Sequence, residues 1–358
     1  MHCPTLKELP DPANHKSGWP WTEESKPLPE KMPDGKPWPK VSIVTPSLNQ
    51  GKFIEETIRS VLLQGYPNLE YIIIDGGSTD DSVEIIRKYS AWLGYWISEP
   101  DSGQSHAINK GWKRASGEIL AYLNSDDIYL PGSVITAEKL LAEHPDVSMI
   151  YGGCNYIDEQ NRITGAFYGE EFDIKQMFFN YIVPQPAVFF KKIVLDKVGY
   201  LDESLHYVMD RDLWIRIGLE LKVKYFPVMF TNMRRHPSAK STAQIDEFLP
   251  ERLRVFNKVF ERSDIPKELK NLRRKAFSHN YILVARDCYE AEKVKQARSY
   301  LVSSILEYPP VLFRGYVVKT LAKCLIGERL NLFCRKVKKW ILSINNTSQI
   351  KAGNSSEK

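Results

Sequence analysis

The chain has 358 residues, 43% hydrophobic and 26% charged, with 49 Lys and Arg against 44 Asp and Glu and a formal net charge of +5. Such a composition fits a soluble globular protein of one large or two modest domains and excludes a disordered or fibrous chain. So even a charge balance also excludes a surface built throughout to hold nucleic acid.

Residues 1–39 carry nine prolines, and Trp19, Trp21 and Trp38 are interleaved with them. Proline fixes φ and removes a donor too often here for helix or central strand. The segment reads as an arm, and its tryptophans suit it to lie against a folded body; a disordered leader is the other reading. No run of about 18 apolar residues occurs, and the start from Met1 lacks an apolar stretch of signal-peptide type, so a cytoplasmic location is expected. Cys3, Cys154, Cys288, Cys324 and Cys334 are scattered without metal-ligand spacing and are expected to pack.

From residue 40 to about 241, short β-branched runs alternate with longer amphipathic stretches, as in βαβ units around a mostly parallel sheet. Val41–Thr45, Glu70–Asp75, Gly94–Ser98 and Ile119–Leu123 are predicted strands. The helices predicted after them are Ile54–Gln64, Asp81–Tyr89, Gln104–Ala115 and Gly132–Glu143. Residues 151–232 are less regular, with a strand predicted at Ala187–Phe190 and a helix from Asp210 to Leu221. Beyond His236 the pattern is almost purely helical through 342, with segments Phe248–Phe260, Lys267–Tyr289 and Glu292–Glu307, and residues 343–358 are polar and predicted to be disordered. Val311–Trp340 interleaves eight Lys and Arg with Leu, Val, Phe and Trp against Glu328 alone. It reads either as a surface for an anionic membrane or as a solvated helix face.

Four carboxylates fall at predicted strand ends: Asp75, Asp101, Asp126 and Asp127. Ligands of open α/β sheets sit at such ends. Two adjacent acids in one tight turn suit a hard cation with oxygen ligands, Mg²⁺ or Mn²⁺, or else cap the following segment. A carboxylate at Asp75 can accept the N3–H of a pyrimidine base.

The exit of the first strand, Thr45-Pro46-Ser47-Leu48-Asn49-Gln50-Gly51, and the run Asp75-Gly76-Gly77-Ser78-Thr79-Asp80 are joined by four more ordered segments. These are Ser98-Glu99-Pro100-Asp101-Ser102-Gly103, Ala107-Ile108-Asn109-Lys110-Gly111, Leu123-Asn124-Ser125-Asp126-Asp127 and Met209-Asp210-Arg211-Asp212. Together they resemble family 2 glycosyltransferases of the GT-A fold, over residues 41–241. The resemblance implies an inverting enzyme that moves a sugar from a nucleotide diphosphate sugar to a glycan or lipid-linked hydroxyl. UDP is the first choice of nucleotide, with dTDP and GDP left open. It places Thr45, Pro46, Ser47, Asn49, Asp75, Gly76, Gly77, Ser78, Asp101, Asn124 and Ser125 around the donor, with Asp126 near the ribose. It further implies that Asp127 and His236 bind Mn²⁺ or Mg²⁺, that Asp210 is the base, and that Lys110 approaches the diphosphate. Gln185 lies in the region expected to meet the acceptor. The sequence departs from the family at Asn124 and Met209, where acids are usual. Those departures keep open a catalytically inactive nucleotide- or glycan-binding module. A dinucleotide oxidoreductase is disfavoured, because no Gly-x-Gly-x-x-Gly follows the first strand.

Overall fold

A computed structural model describes residues 3–12, 16–237 and 248–325. Two apolar runs, Val41–Ser47 (β1) and Leu69–Asp75 (β2), are buried almost throughout and lie parallel, Val41 opposite Leu69 and Ser47 opposite Asp75. Strands buried on both faces read as continuous apolar runs, and this is why the sequence shows them so clearly. Tyr95–Ser98 (β3) and Ile119–Tyr122 (β4) flank the pair, also in parallel. The crossovers are Ile54–Leu62 (α1), Ser82–Lys88 (α2) and Gln104–Arg114 (α3), and Ser133–Glu143 (α4) follows. On α3, a Cβ at Gly111 would stand 2.4 Å from Val44 Cγ1, so only glycine lets this helix seat on β1.

The remaining strands are Ile128–Tyr129 (β5), Met149–Ile157 (β6), Ile163–Phe167 (β7), Val188–Lys191 (β8) and Val223–Arg234 (β9). They extend the sheet to the order β3-β2-β1-β4-β8-β6-β9-β5, with β7 on β6. Here β8 runs antiparallel to both β4 and β6, β7 to β6 and β5 to β9, while β6 and β9 are parallel. Of these five the sequence predicts only β8. Gly152 and Gly153 interrupt β6 at a register shift, and Pro227 lies within β9, residues that weaken any strand pattern. Two further helices, Ile193–Val198 (α5) and Met209–Glu220 (α6), complete this part.

Arg59 on α1 is fully buried and ties the Pro-rich arm to the sheet. Its guanidinium donates to the carbonyls of Pro10 (2.9 Å), Pro20 (3.0 Å) and Trp21 (3.1 Å) and to the Tyr89 hydroxyl. Trp19 Nε1 adds a bond to the Tyr129 carbonyl at 2.8 Å. Trp21 and Trp38 are buried.

The chain divides into two compact units, residues 1–251 and 252–358. Phe248–Phe260 (α7) spans the boundary. The second unit continues with Lys267–Lys270 (α8), Arg273–Glu290 (α9), Val294–Glu307 (α10) and Gly315–Leu325 (α11). The single helix predicted over 267–289 is broken by a tightened turn, where Leu272 N–H donates to the Leu269 carbonyl at 2.9 Å. Ala276, Phe277, Ala285, Ala297 and Leu301 form the interior between α9 and α10, and Ser278 Oγ meets Ser304 Oγ at 2.8 Å. The predictions for residues 326–358, including the end of the basic stretch, the polar tail and Cys334, lie outside the described residues.

Candidate functional site

At the carboxyl ends of β1 and β2 two loops are laced together. Asn49 takes a left-handed φ of 53°, which lets its N–H reach Ser78 Oγ (2.7 Å) while its Oδ1 accepts from Thr79 N–H (2.8 Å). Gln50 N–H donates to Ser82 Oγ, Gly51 N–H to Asp80 Oδ2, and Gly76 N–H to the Ser47 carbonyl. Asp75 anchors the lacing. Fully buried, it accepts from the N–H groups of Gly77 (3.1 Å) and Ser78 (2.9 Å) and from the hydroxyls of Ser78 and Ser98. Three of these donors converge on Oδ2 and one on Oδ1, so Asp75 braces the turn through Oδ2 while Oδ1 keeps acceptor capacity. Asp101 lies over that turn: a Cβ at Gly76 would come within 2.8 Å of its Oδ2, while its Oδ1 accepts from Gly103 N–H at 2.7 Å. Thr45 accepts from the Tyr71 hydroxyl, Pro46 sits in β1 opposite Ile74, and Ser47 Oγ is buried without a hydrogen-bond partner among the described residues.

Across the sheet, β5 pairs with β9 so that Ile128 opposes Asn232. Continued backward, this register sets Asp127 opposite Met233 and Asp126 opposite Arg234, with His236 two residues beyond the end of β9. His236 Nε2 stands 3.0 Å from Asp126 Oδ2, with the ring buried and 5.0 Å from that of Phe53. Asp127 points the other way, into the interior. Its Oδ1 accepts from Arg234 N–H at 2.9 Å and its Oδ2 faces Asn124 Nδ2 at 3.4 Å. Burial, then the neighbouring charge of Asp126, pushes its pKa well above the usual carboxylate range, against the pull of Arg234 and Asn124. The two acids therefore stand differently from the sequence expectation: Asp126, not Asp127, meets the histidine.

Arg234 is the residue that sequence reasoning missed. Its buried guanidinium donates to Glu56 Oε2 (2.8 Å), the Asp126 carbonyl (3.0 Å), the Asp158 carbonyl (2.9 Å) and Asn161 Oδ1 (2.6 Å). Glu56 in turn accepts from Trp21 Nε1 of the arm at 3.1 Å. Nothing in Arg234-Arg235-His236 distinguishes the first arginine from a surface cation.

Asp210 opens α6. Its Oδ1 accepts from Arg211 N–H at 2.7 Å, and the Tyr181 hydroxyl donates to its Oδ2. Arg211 is buried and holds the carbonyls of Met177 and Asn180, which fixes the segment that presents Tyr181. Burial raises the Asp210 pKa, against the hydrogen bonds from Tyr181 and Arg211. The N–H groups of His206 and Tyr207, just before α6, donate to Glu251, a second contributor the sequence does not signal. Asp212, two residues on, is buried against Arg216 at 2.8 Å. Tyr122, at the end of β4, feels burial first and then the charges of Asp210 and Asp127, all raising its pKa, so the carboxylate of α6 and that of the β4 loop share one region.

Gln185 lies in a 3₁₀ turn, and its amide is engaged at both ends. Its Nε2 donates to the Tyr122 carbonyl and its Oε1 accepts from Asn124 Nδ2, each at 3.1 Å. Asn124 also accepts from Gln104 Nε2 at 2.7 Å, so the residue that departs from the family acid is a hub of amides. Ser125 is buried beside it. Lys110 is paired with the half-exposed Glu99. Of the aromatics in this region Phe178 is core, whereas Tyr181 is exposed. Among the described residues no three His, Cys, Asp or Glu side chains make a complete metal site.

The family model for glycosyl transferase family 2 matches residues 42–193. An uncharacterized glycosyltransferase of Mycobacterium tuberculosis is 32% identical over 185 residues, covering 51% of this chain and 70% of the relative. A PGL/p-HBAD biosynthesis glycosyltransferase of Mycobacterium bovis is 25% identical over 217 residues, 59% of this chain and 83% of that protein. Among solved structures, S. aureus TarS 1–349 in complex with UDP-GlcNAc superposes with a TM-score of 0.60 at 15% identity, covering 80% of this chain and 90% of that one. The mannosyltransferase PcManGT of Pyrobaculum calidifontis, in complex with GDP-Man and Mn²⁺, gives 0.51 at 18% identity over 80% and 87%. The structural likenesses bear on the fold, a sheet with flanking helices of GT-A type, and the sequence relatives on the family: this chain belongs to glycosyltransferase family 2 and is an enzyme of that class.

Proposed function

We propose that the chain is an inverting transferase that moves a sugar from a UDP-sugar to a hydroxyl of a glycan or lipid-linked acceptor, in the building of a cell-surface glycan. The observation that carries this reading is the approach of His236 Nε2 to Asp126 Oδ2 at 3.0 Å, on the sheet edge where the loops of β1 and β2 are laced. A carboxylate oxygen and an imidazole nitrogen at that separation form a donor pair suited to Mn²⁺ or Mg²⁺. Such ions take one or two protein ligands and complete their shell with diphosphate oxygens and water, so two protein ligands suffice. Asp126 and His236 would hold the ion, in place of the expected Asp127. When bound, it supplies the positive charge that balances the leaving diphosphate.

The chain's own groups account for the rest. Asp210 takes the proton from the acceptor hydroxyl, and its raised pKa suits that task, because a base works best with a pKa near the working pH. Tyr181, donating to the same carboxylate, aims it. Asp101 and the Gly76–Gly77 backbone edge flank the nucleotide, with Asp75 stiffening the turn behind them. The UDP-GlcNAc in the TarS complex and the GDP-Man in the mannosyltransferase complex support a nucleotide-sugar donor, and the mycobacterial relative named for PGL/p-HBAD biosynthesis supports a surface glycan.

The test is a screen of UDP-, dTDP- and GDP-sugars with the purified chain and Mn²⁺, reading sugar release and, once an acceptor is found, anomeric configuration by NMR. Turnover of UDP-sugars with inversion is expected. Binding of nucleotide without turnover of any donor would replace this reading with that of an inactive module.

A further inference from the structure

The two compact units carry opposite charge. Residues 1–251 hold 26 Lys and Arg against 35 Asp and Glu, whereas residues 252–325 hold 16 against 7. Within the second unit, α11 carries Lys319 and Lys323 of this charge. Val317, Thr320 and Cys324 turn inward, and Tyr316, Lys319 and Lys323, spaced by three and four residues, form one outward line. This line and Arg286, Tyr289 and Glu290 of α9 wall a hollow of about 490 Å³. Three cations thus border it against Glu290, with Arg286 also paired to the adjacent Asp287 at 3.3 Å, and with tyrosine and threonine hydroxyls between them.

The chain entering α11 is apolar and exposed: Phe313 is 92% and Leu312 45% accessible, and Leu306 at the end of α10 is 73% accessible. An isolated exposed leucine needs no explanation, but an aliphatic and aromatic tip beside a cationic hollow does.

We propose that this face docks the enzyme on an anionic membrane, with the hollow of Arg286, Lys319 and Lys323 taking a lipid phosphate while Leu312 and Phe313 enter the acyl boundary. Charge complementarity and the tip's chemistry select this occupant. Single-stranded nucleic acid is held by cations with flat aromatic platforms, which Tyr316 and Phe313 resemble, but the exposed aliphatic Leu306, Leu312 and Val318 add surface that stacked bases do not use. Cationic faces edged by Leu and Phe are the pattern of proteins that lie on a bilayer surface. No helix among the described residues is long and apolar enough to cross a membrane. A docked second unit would hold the enzyme where a lipid-linked acceptor is presented.

The test is flotation of the whole chain with phosphatidylcholine vesicles, with and without phosphatidylglycerol. Binding is expected only with phosphatidylglycerol and should weaken as salt rises. Lys319→Gln and Lys323→Gln should each lower vesicle affinity about fivefold, and Leu312→Ser with Phe313→Ser at least tenfold together. All four positions are exposed, and unchanged UDP affinity and thermal melting would show the variants folded. Variants that float like the parent would overturn the proposal. So would displacement by inorganic phosphate well beyond that by chloride at equal ionic strength, which would make the hollow a site for soluble phosphate. Binding of a single-stranded oligonucleotide in preference to vesicles, lost in the lysine variants, would likewise replace the membrane with nucleic acid.

Discussion

Asp126 and Asp127 are joined by one peptide bond and occupy opposite environments. Asp126 faces His236 at the rim, whereas Asp127 is buried under Arg234 N–H and the Asn124 amide. Because Asn at 127 keeps an oxygen for the Arg234 N–H, Asp127→Asn should leave Mn²⁺-dependent UDP affinity within a few-fold of the parent. Asp126→Asn, which removes a hard charged ligand, should lower that affinity at least tenfold. Calorimetric titration of UDP with and without Mn²⁺ decides between them, and the reverse ranking would return the metal to Asp127. At the other carboxylate, Asp210→Asn should cost about 10²–10⁴ in turnover at unchanged UDP affinity. A base must be deprotonated, so kcat/KM of the parent should fall as pH drops through a value above the ordinary carboxylate range of about 3.9, and the Asn variant should lose that limb. Stability follows the opposite sign. A carboxyl whose pKa is raised by folding stabilises the fold below its unfolded pKa and loses that contribution as pH rises through the folded one. The Asn variant should therefore melt no lower than the parent at neutral pH. Asp212, held by Arg216, is the control: Asp212→Asn should change stability more than turnover.

At the scale of elements, the site is assembled by the antiparallel pairing of β5 with β9 and stiffened by the ion pair of Arg234 with Glu56, both buried. Removing one partner of such a pair leaves an uncompensated charge, and Glu56→Ala should destabilise the fold by about 3–5 kcal/mol in urea unfolding. Adding Arg234→Met should recover part of that loss, because the two changes share one interaction. Full additivity would show the pair to be energetically idle. This device also marks the limit of what the sequence discloses. Strands β1, β2 and β4 are legible because burial on both faces makes them continuous apolar runs. By contrast β6 and β9 are obscured by Gly152, Gly153 and Pro227, and β5, at two residues, is too short for any period. Asp126 and His236 are recognisable as residue types 110 positions apart, yet only the pairing of β5 with β9 brings the segments that carry them together. Asp75, Lys110 and Gln185 look like ligand groups in the sequence, and partners distant in the chain engage them: Ser98, Glu99 and Tyr122. Arg59 is the converse case, a cation on α1 whose burial depends on the arm folding back over it.

For the whole molecule, the division into two units means that a ligand held by the first should stabilise that unit, and its tryptophans make the effect readable. Seven of the eight lie within residues 1–251, so tryptophan fluorescence follows the unfolding of the unit that carries the site. A ligand that binds only the folded state adds RT ln(1 + [L]/Kd), about 2.7 kcal/mol at a hundredfold excess over Kd. For a unit of this size each kcal/mol moves the midpoint by roughly 2–4 °C, so UDP with Mn²⁺ at that excess should raise the fluorescence melting temperature by about 5–11 °C. The same UDP concentration without metal should raise it much less, since the diphosphate charge then lacks its counterion. In Asp126→Asn the metal-dependent part of the rise should vanish while the melting temperature without ligand stays near the parent's, because Asp126 lies at the rim and Asp127 keeps the interior bond to Arg234. A metal-dependent rise of full size in that variant would show that the diphosphate is held elsewhere on the sheet edge, and would break the link between the Asp126–His236 pair and donor binding.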